Sequence, residues 1–170
     1  ERSTSRESSF DAARFESAAH KWVQLADDQM AVAVLNDSKY GYAVHNDTIR
    51  ITLIKSATSP DPQADQGEHV FTSSLYAGAA HQREALDHAA YALNTPLRLL
   101  PGDGARSAGT PAFVQPSDPS VIVETVRMEP DGAVVLRVFE ARGAALDGHI
   151  KVLWPFAWAA RTDFLGAVVA

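Results

Sequence analysis

Residues 30–56 read MAVAVLNDSKYGYAVHNDTIRITLIKS, the densest strand signal in the chain set beside its most polar turn. Residues 30–35 form an apolar run of strand length, and 48–54 alternate so that Ile49, Ile51 and Leu53 share one face. Asn36-Asp37-Ser38-Lys39 has short side chains that bond their own backbone, and Gly41 and Asn46-Asp47 suit positive φ and tight reversals. The stretch therefore predicts a meander of three strands, 30–35, 40–44 and 48–55, around which the rest of the chain packs.

Working outward, residues 1–11 (ERSTSRESSFD) read as an irregular lead-in. The stretch from Arg14 to Leu25 is compatible with a strand that brings Trp22, Val23 and Leu25 to the core, although a helix also fits its pattern. Asp27-Asp28 marks a turn into the central strands. Beyond Lys55, residues 57–68 carry prolines, a glycine and acids but nothing apolar larger than Ala, which predicts a long exposed loop of the kind that often carries function. A strand is expected at 70–76.

Residues 82–93 are the single clear helical stretch, with Ala85, Leu86, Ala89, Ala90 and Leu93 at helical spacing, ended by Asn94-Thr95-Pro96. Residues 101–119, rich in Gly, Pro, Ser and Ala, read as a connector within one domain. The last third is strand-rich. Strands at 120–128 and 133–141 are joined by a Glu129-Pro130-Asp131-Gly132 turn, with Val121, Val123, Thr125, Val134, Leu136 and Val138 alternating against polar or exposed neighbours. Arg142-Gly143 turns again and 149–154 gives another strand. Many short strands with one helix predict a mostly-β sandwich, with residues 1–170 forming a single domain.

With 170 residues, 46% of them apolar and 21% charged, the chain can bury one core. Its net charge of −6 and the lack of any Lys/Arg run argue against nucleic acid as a partner. The absence of cysteine removes disulfides and thiolate catalysis and fits a cytoplasmic origin. No apolar window reaches the roughly 18 residues that span a bilayer, so no membrane partner is expected. The start at Glu1 and the apolar run at 164–170 read as cuts from a larger protein.

Asp61, Asp65 and His69 recur every four residues, which on a helix would align metal donors, but Pro60 and Pro62 oppose a helix and favour an acidic solvated loop. The six histidines form no HxxxH or HExxH pair, and GxSxG, GxxxxGK[ST] and GxGxxG are all missing. Trp22, Trp154, Trp158, Tyr40, Tyr42 and Tyr76 could stack on sugars. Core packing is the favoured reading for the tryptophans, and Tyr40 is the least core-like of the set.

Residues 13–16 (ARFE), 19–22 (AHKW), 35–42 (LNDSKYGY), 49–56 (IRITLIKS), 60–69 (PDPQADQGEH), 71–75 (FTSSL), 90–97 (AYALNTPL) and 123–127 (VETVR) together carry a resemblance. In this order the chain resembles the carboxy-terminal β region of glycoside hydrolase family 38 α-mannosidases, in the branch that includes cytosolic and bacterial enzymes. The resemblance implies a sandwich of the galactose mutarotase-like kind. It also implies an enzyme that releases terminal α-mannose with retention, using an aspartate nucleophile and zinc or cobalt.

In that family the nucleophile and the metal ligands belong to an amino-terminal catalytic domain, so this chain is expected to hold no catalytic residue and no metal, and to be inactive alone. Its expected partners are that catalytic domain and a mannose-containing oligosaccharide. Asp37, Lys39 and Tyr40 of the central turn, with Asp61, Asp65 and His69 of the acidic loop, are the candidates for contacts at the substrate edge or the domain interface. His20 and Trp22 are assigned to structure. The alternatives are a free-standing carbohydrate-binding module and a purely structural domain.

Overall fold

A strand of alternating small and branched apolar residues, Met30–Asn36, lies at the centre of the first half of the protein in a computed structural model describing residues 5–80, 83–99, 101 and 112–169. These residues group into two compact units, 1–100 and 101–170, which divide at the start of the segment expected to be a connector. In the first unit the order is α1 (Ser9–Ala13), β1 (Ser17–Ala18), β2 (Trp22–Ala26), β3 (Met30–Asn36), β4 (Gly41–His45), β5 (Thr48–Ile51), β6 (Ser73–Ala79) and α2 (Arg83–Asn94). In the second it is β7 (Val114–Pro116), β8 (Val121–Met128), β9 (Val134–Glu140), β10 (Ile150–Val152), β11 (Arg161–Thr162) and β12 (Val168–Val169). The mostly-β architecture expected from the sequence is present.

The predicted meander is not. Strand β3 pairs with β2 and β6 in one antiparallel sheet, whereas β4 pairs with β1 and β5 in another. At the divergence Asn36 Oδ1 accepts from the backbone N–H of Ser38 at 3.0 Å and of Lys39 at 2.6 Å, and the chain turns out of the first sheet instead of folding back as a hairpin. The change of sheet also shortens β5. Thr52 N–H still reaches Gly41 O, but β4 begins at Gly41, so Leu53 and Ile54 have no facing strand and stay exposed.

Strand β6 starts three residues later than the 70–76 expectation, because its register runs from Asn36 opposite Ser73 to Met30 opposite Ala79. Asp27 closes the β2–β3 turn as expected, accepting from Gln29 and Met30 N–H at 2.8 and 2.7 Å. Those bonds, Met30 first, hold its carboxyl below the usual value. The lead-in is not wholly irregular: Ser8 Oγ caps α1 by accepting from Asp11 N–H.

The core follows the period of two in β3. Ala31, Ala33 and Leu35 point inward at 3% exposure or less, and α2 packs Leu86 and Ala90, both fully buried, against Ala33 and Leu35. Ala33 and Ala90 are small enough to let helix and sheet approach closely. Trp22, Tyr76, Ala89 and Leu93 flank this cluster. The helix agrees with the expected 82–93 within the described residues, Gln82 lying outside them, but its buried face differs: Ala85 is exposed and Asp87 is buried. On the opposite face of β3, Met30, Val32 and Val34 join Leu25 and Ile49 to line an open apolar groove of about 650 Å³.

In the second unit β8 and β9 form the predicted hairpin. Its turn is built as the Pro-Asp-Gly sequence suggests: Gly132 N–H donates to Glu129 O at 3.0 Å, and Gly132 takes φ +88°. A Cβ added at Gly132 would meet no atom within 4 Å. Gly132→Ala therefore tests backbone strain alone, and a loss of about 1 kcal/mol in urea unfolding is expected.

The inward face of this hairpin is not the expected one. Ile122 is the buried residue, while Thr125 and Val138, both of the expected set, are exposed. A bulge between Val123 and Thr125 adds a residue opposite β9 and breaks the alternation. Strands β7 and β10 pair, as do β11 and β12. Trp154 stacks on Phe113 at 4.4 Å, but Trp158 is 72% exposed, against the core reading. Residues 102–111 of the expected connector lie outside the described residues. Among those described, no helix is long and apolar enough to cross a membrane.

Candidate functional site

The turn between β3 and β4 presents Asp37, Lys39 and Tyr40, and Asn36 holds it from below. Asn36 is 3% exposed. Its side-chain amide donates to the hydroxyl of Tyr42, itself 1% exposed, while its own carbonyl accepts from Asn94 Nδ2 of α2 at 3.0 Å. One asparagine thus links the two sheets and the helix at the root of the turn. Burial pushes the Tyr42 hydroxyl above its ordinary pKa, so at neutral pH it stays a neutral acceptor for that amide.

Asp37 ties the turn to the segment that enters β6. Its N–H donates to Thr72 O and its Oδ1 accepts from Thr72 N–H, both at 3.3 Å, and Ser38 Oγ donates to the same oxygen at 3.0 Å. The Thr72 side chain, followed by Ser38, holds the Asp37 carboxyl below the usual carboxylate range, so it is ionised at neutral pH. Lys39 Nζ lies 4.3 Å from the centre of the Phe71 ring, a cation–π contact, and His69 stacks on the same ring at 6.1 Å and 12°. His69 Nε2 in turn donates to Asp65 O at 2.8 Å. Tyr40, 55% exposed, places its ring 4.7 Å from that of His20.

The fold thus gathers Asp37, Lys39 and His69 through Phe71 and Thr72, and brings Asp65 in through its backbone. Asp61 is used otherwise: its carboxylate accepts from Gln63 N–H at 2.9 Å and turns its own loop. Among the described residues no three His, Asp or Glu side chains form a group that could hold a metal. Asp61 and His69 are each engaged with backbone, so the donor set that the four-residue spacing suggested is not assembled.

Phe71, Thr72 and His20 were not among the residues singled out for the site. Phe71 and Thr72 read as strand, and only the tertiary fold brings them beside Lys39 and Asp37. What results is two side-chain groups flanking one turn, Asp37 and Lys39 with Phe71 and His69, and Tyr40 with His20, which between them carry donors, acceptors and ring faces.

Residues 1–63 match the family described as Glycosyl hydrolases family 38 C-terminal domain. Alpha-mannosidase 2C1 of Mus musculus is 35% identical over 97% of this chain and 16% of its own length, and alpha-mannosidase 2C1 of Homo sapiens is 34% identical over the same shares. Alpha-mannosidase G of Dictyostelium discoideum is 34% identical over 85% of the chain and 14% of its own length. The chain spans about one sixth of the length of the curated relatives it matches. By its match to their C-terminal domain and its similarity along nearly its whole length to α-mannosidases, the chain belongs to the family 38 glycosyl hydrolases.

Proposed function

We propose that this chain is the accessory C-terminal β domain of a retaining α-mannosidase that hydrolyses terminal α-mannose residues of oligosaccharides in the cytoplasm. The observation that carries the reading is similarity to α-mannosidases over 97% of the chain, which accounts for only 16% of the relative's length. Its partners are the catalytic domain of the same polypeptide and a mannose-containing oligosaccharide, with neither nucleic acid nor membrane. Zinc or cobalt, supplying electrostatic stabilisation where the glycosidic bond breaks, would be held in the catalytic domain.

Within that enzyme the turn 37–40, with His69 beside it, supplies the edge that meets the outer sugars of the substrate or the catalytic domain. An ionised carboxylate and an ammonium are complementary to sugar hydroxyls, which both donate and accept. The exposed Tyr40–His20 ring pair supports a second reading, a free-standing carbohydrate-binding module, since aromatic faces stack on pyranose rings.

Substitutions in the longer enzyme test the edge role. With Lys39→Ala or Tyr40→Ala, KM for a manno-oligosaccharide is expected to rise about tenfold while kcat on an aryl α-mannoside is unchanged, because only binding contacts away from the broken bond are lost. Unchanged KM in both variants would remove the substrate edge and leave a structural domain. Saccharide affinity in the 170-residue chain itself would favour the binding-module reading.

A further inference from the structure

Helix α2 carries an acid on the side it buries. Asp87 is 8% exposed, and its Oδ1 accepts from the indole N–H of Trp22 on β2 at 2.9 Å. On its own helix Arg83 and His88 act on it by charge, and the Arg83 guanidinium also lies 5.3 Å from the Trp22 ring. The strand residues of the cluster that α2 covers, Ala33 and Leu35 of β3 and Tyr76 of β6, carry no charge at neutral pH. Lys21, which precedes β2, places its ammonium 4.6 Å from the Tyr91 ring of α2.

Docking the helix takes this carboxyl out of water, which disfavours its ionised form. The neutral acid keeps the Trp22 contact through its carbonyl oxygen, as a weaker bond than the carboxylate makes, and the relief of desolvation outweighs that loss. We propose that the Trp22–Asp87 contact is a proton-sensitive clasp, gripping α2 to the β2–β3–β6 sheet more firmly in mild acid than at neutral pH. The clasp also bears on the candidate site, since the far end of α2 holds Asn36 O through Asn94.

The direction follows from burial, which raises the Asp87 carboxyl above its ordinary value against the opposing hydrogen bond from Trp22 and the charges of Arg83 and His88. A group raised on folding adds stability that is complete below its unfolded pKa and is lost as pH rises through the folded one. Asp87 therefore favours the docked helix on the acid side and opposes it at neutral pH.

Thermal unfolding of the 170-residue chain and its Asp87→Asn variant between pH 4 and pH 8 tests this. The amide keeps an acceptor for Trp22 and cannot ionise. Its Tm is expected to exceed that of the unsubstituted chain by about 2–4 °C at pH 7.5, and the gap is expected to close towards pH 4. Parallel curves for the two proteins would overturn the clasp. Hydrogen exchange on the unsubstituted chain gives a second test that needs no variant. After correction for intrinsic rates, protection of the α2 amides relative to those of β8 should rise between pH 7 and pH 5, and a constant ratio would equally overturn it.

Discussion

Asn36→Ala is expected to lower the stability of the chain by about 2–4 kcal/mol, more than any other polar substitution in the first unit. The side chain makes three bonds, to the N–H groups of Ser38 and Lys39 and to the Tyr42 hydroxyl, at a position only 3% exposed. Alanine leaves the Tyr42 hydroxyl, at 1% exposure, without its amide donor, and it releases two turn N–H groups. An unpaired buried polar group costs the full desolvation penalty, and a network loses more than its bonds counted singly. The backbone bonds of Asn36, its N–H to Lys21 O at 2.9 Å and its carbonyl to Asn94, remain. Urea unfolding should therefore show a lower midpoint at an unchanged slope. A loss below about 0.5 kcal/mol would mean that this residue does not hold the sheets and the turn together.

Leu86→Ala has the other large expected effect, also about 2–5 kcal/mol. Leu86 is fully buried, and its neighbours in the cluster are Ala33, Leu35 and Ala90. Two of those three are alanines that cannot reach into the space, and the cost within that range depends on how far the flanking Trp22, Tyr76 and Leu93 close on it. Because α2 reaches the candidate turn through Asn94, the substitution is also expected to raise hydrogen exchange at Ser38 and Lys39. Protection at those two amides that stays unchanged while the helix amides exchange faster would separate the helix from the turn.

Much of the fold was legible because its signals are local. The apolar run of β3, the Pro-Asp-Gly turn of the β8–β9 hairpin and the spacing of Leu86, Ala90 and Leu93 each follow from backbone period or turn chemistry within a few residues. The turn-forming role read into Asn36–Lys39 was likewise found, as two backbone N–H bonds to one side-chain oxygen.

Tertiary choices were not legible. Whether the chain doubles back after Asn36 or crosses to a second sheet depends on Tyr42 and Asn94, neither of which bears on the local pattern. Asp87 reads as a solvent-facing residue until Trp22 is seen to supply a partner, and the bulge between Val123 and Thr125 leaves no mark on an alternation of valines and threonine. At the candidate site the residues were named without their links. Lys39 meets His69 only because Phe71 lies against both, whereas Asp61, chosen with the same reasoning, is spent on its own loop.

The central claim is that this chain assists an α-mannosidase and does not itself catalyse. The most direct measurement is hydrolysis of an aryl α-mannoside, with added zinc or cobalt, by the 170-residue chain and by the longer enzyme side by side. The account predicts turnover by the longer enzyme and none by the chain. Turnover by the chain alone would contradict it, because a catalytic pair would then have to exist among residues assigned here to turns and to a binding edge.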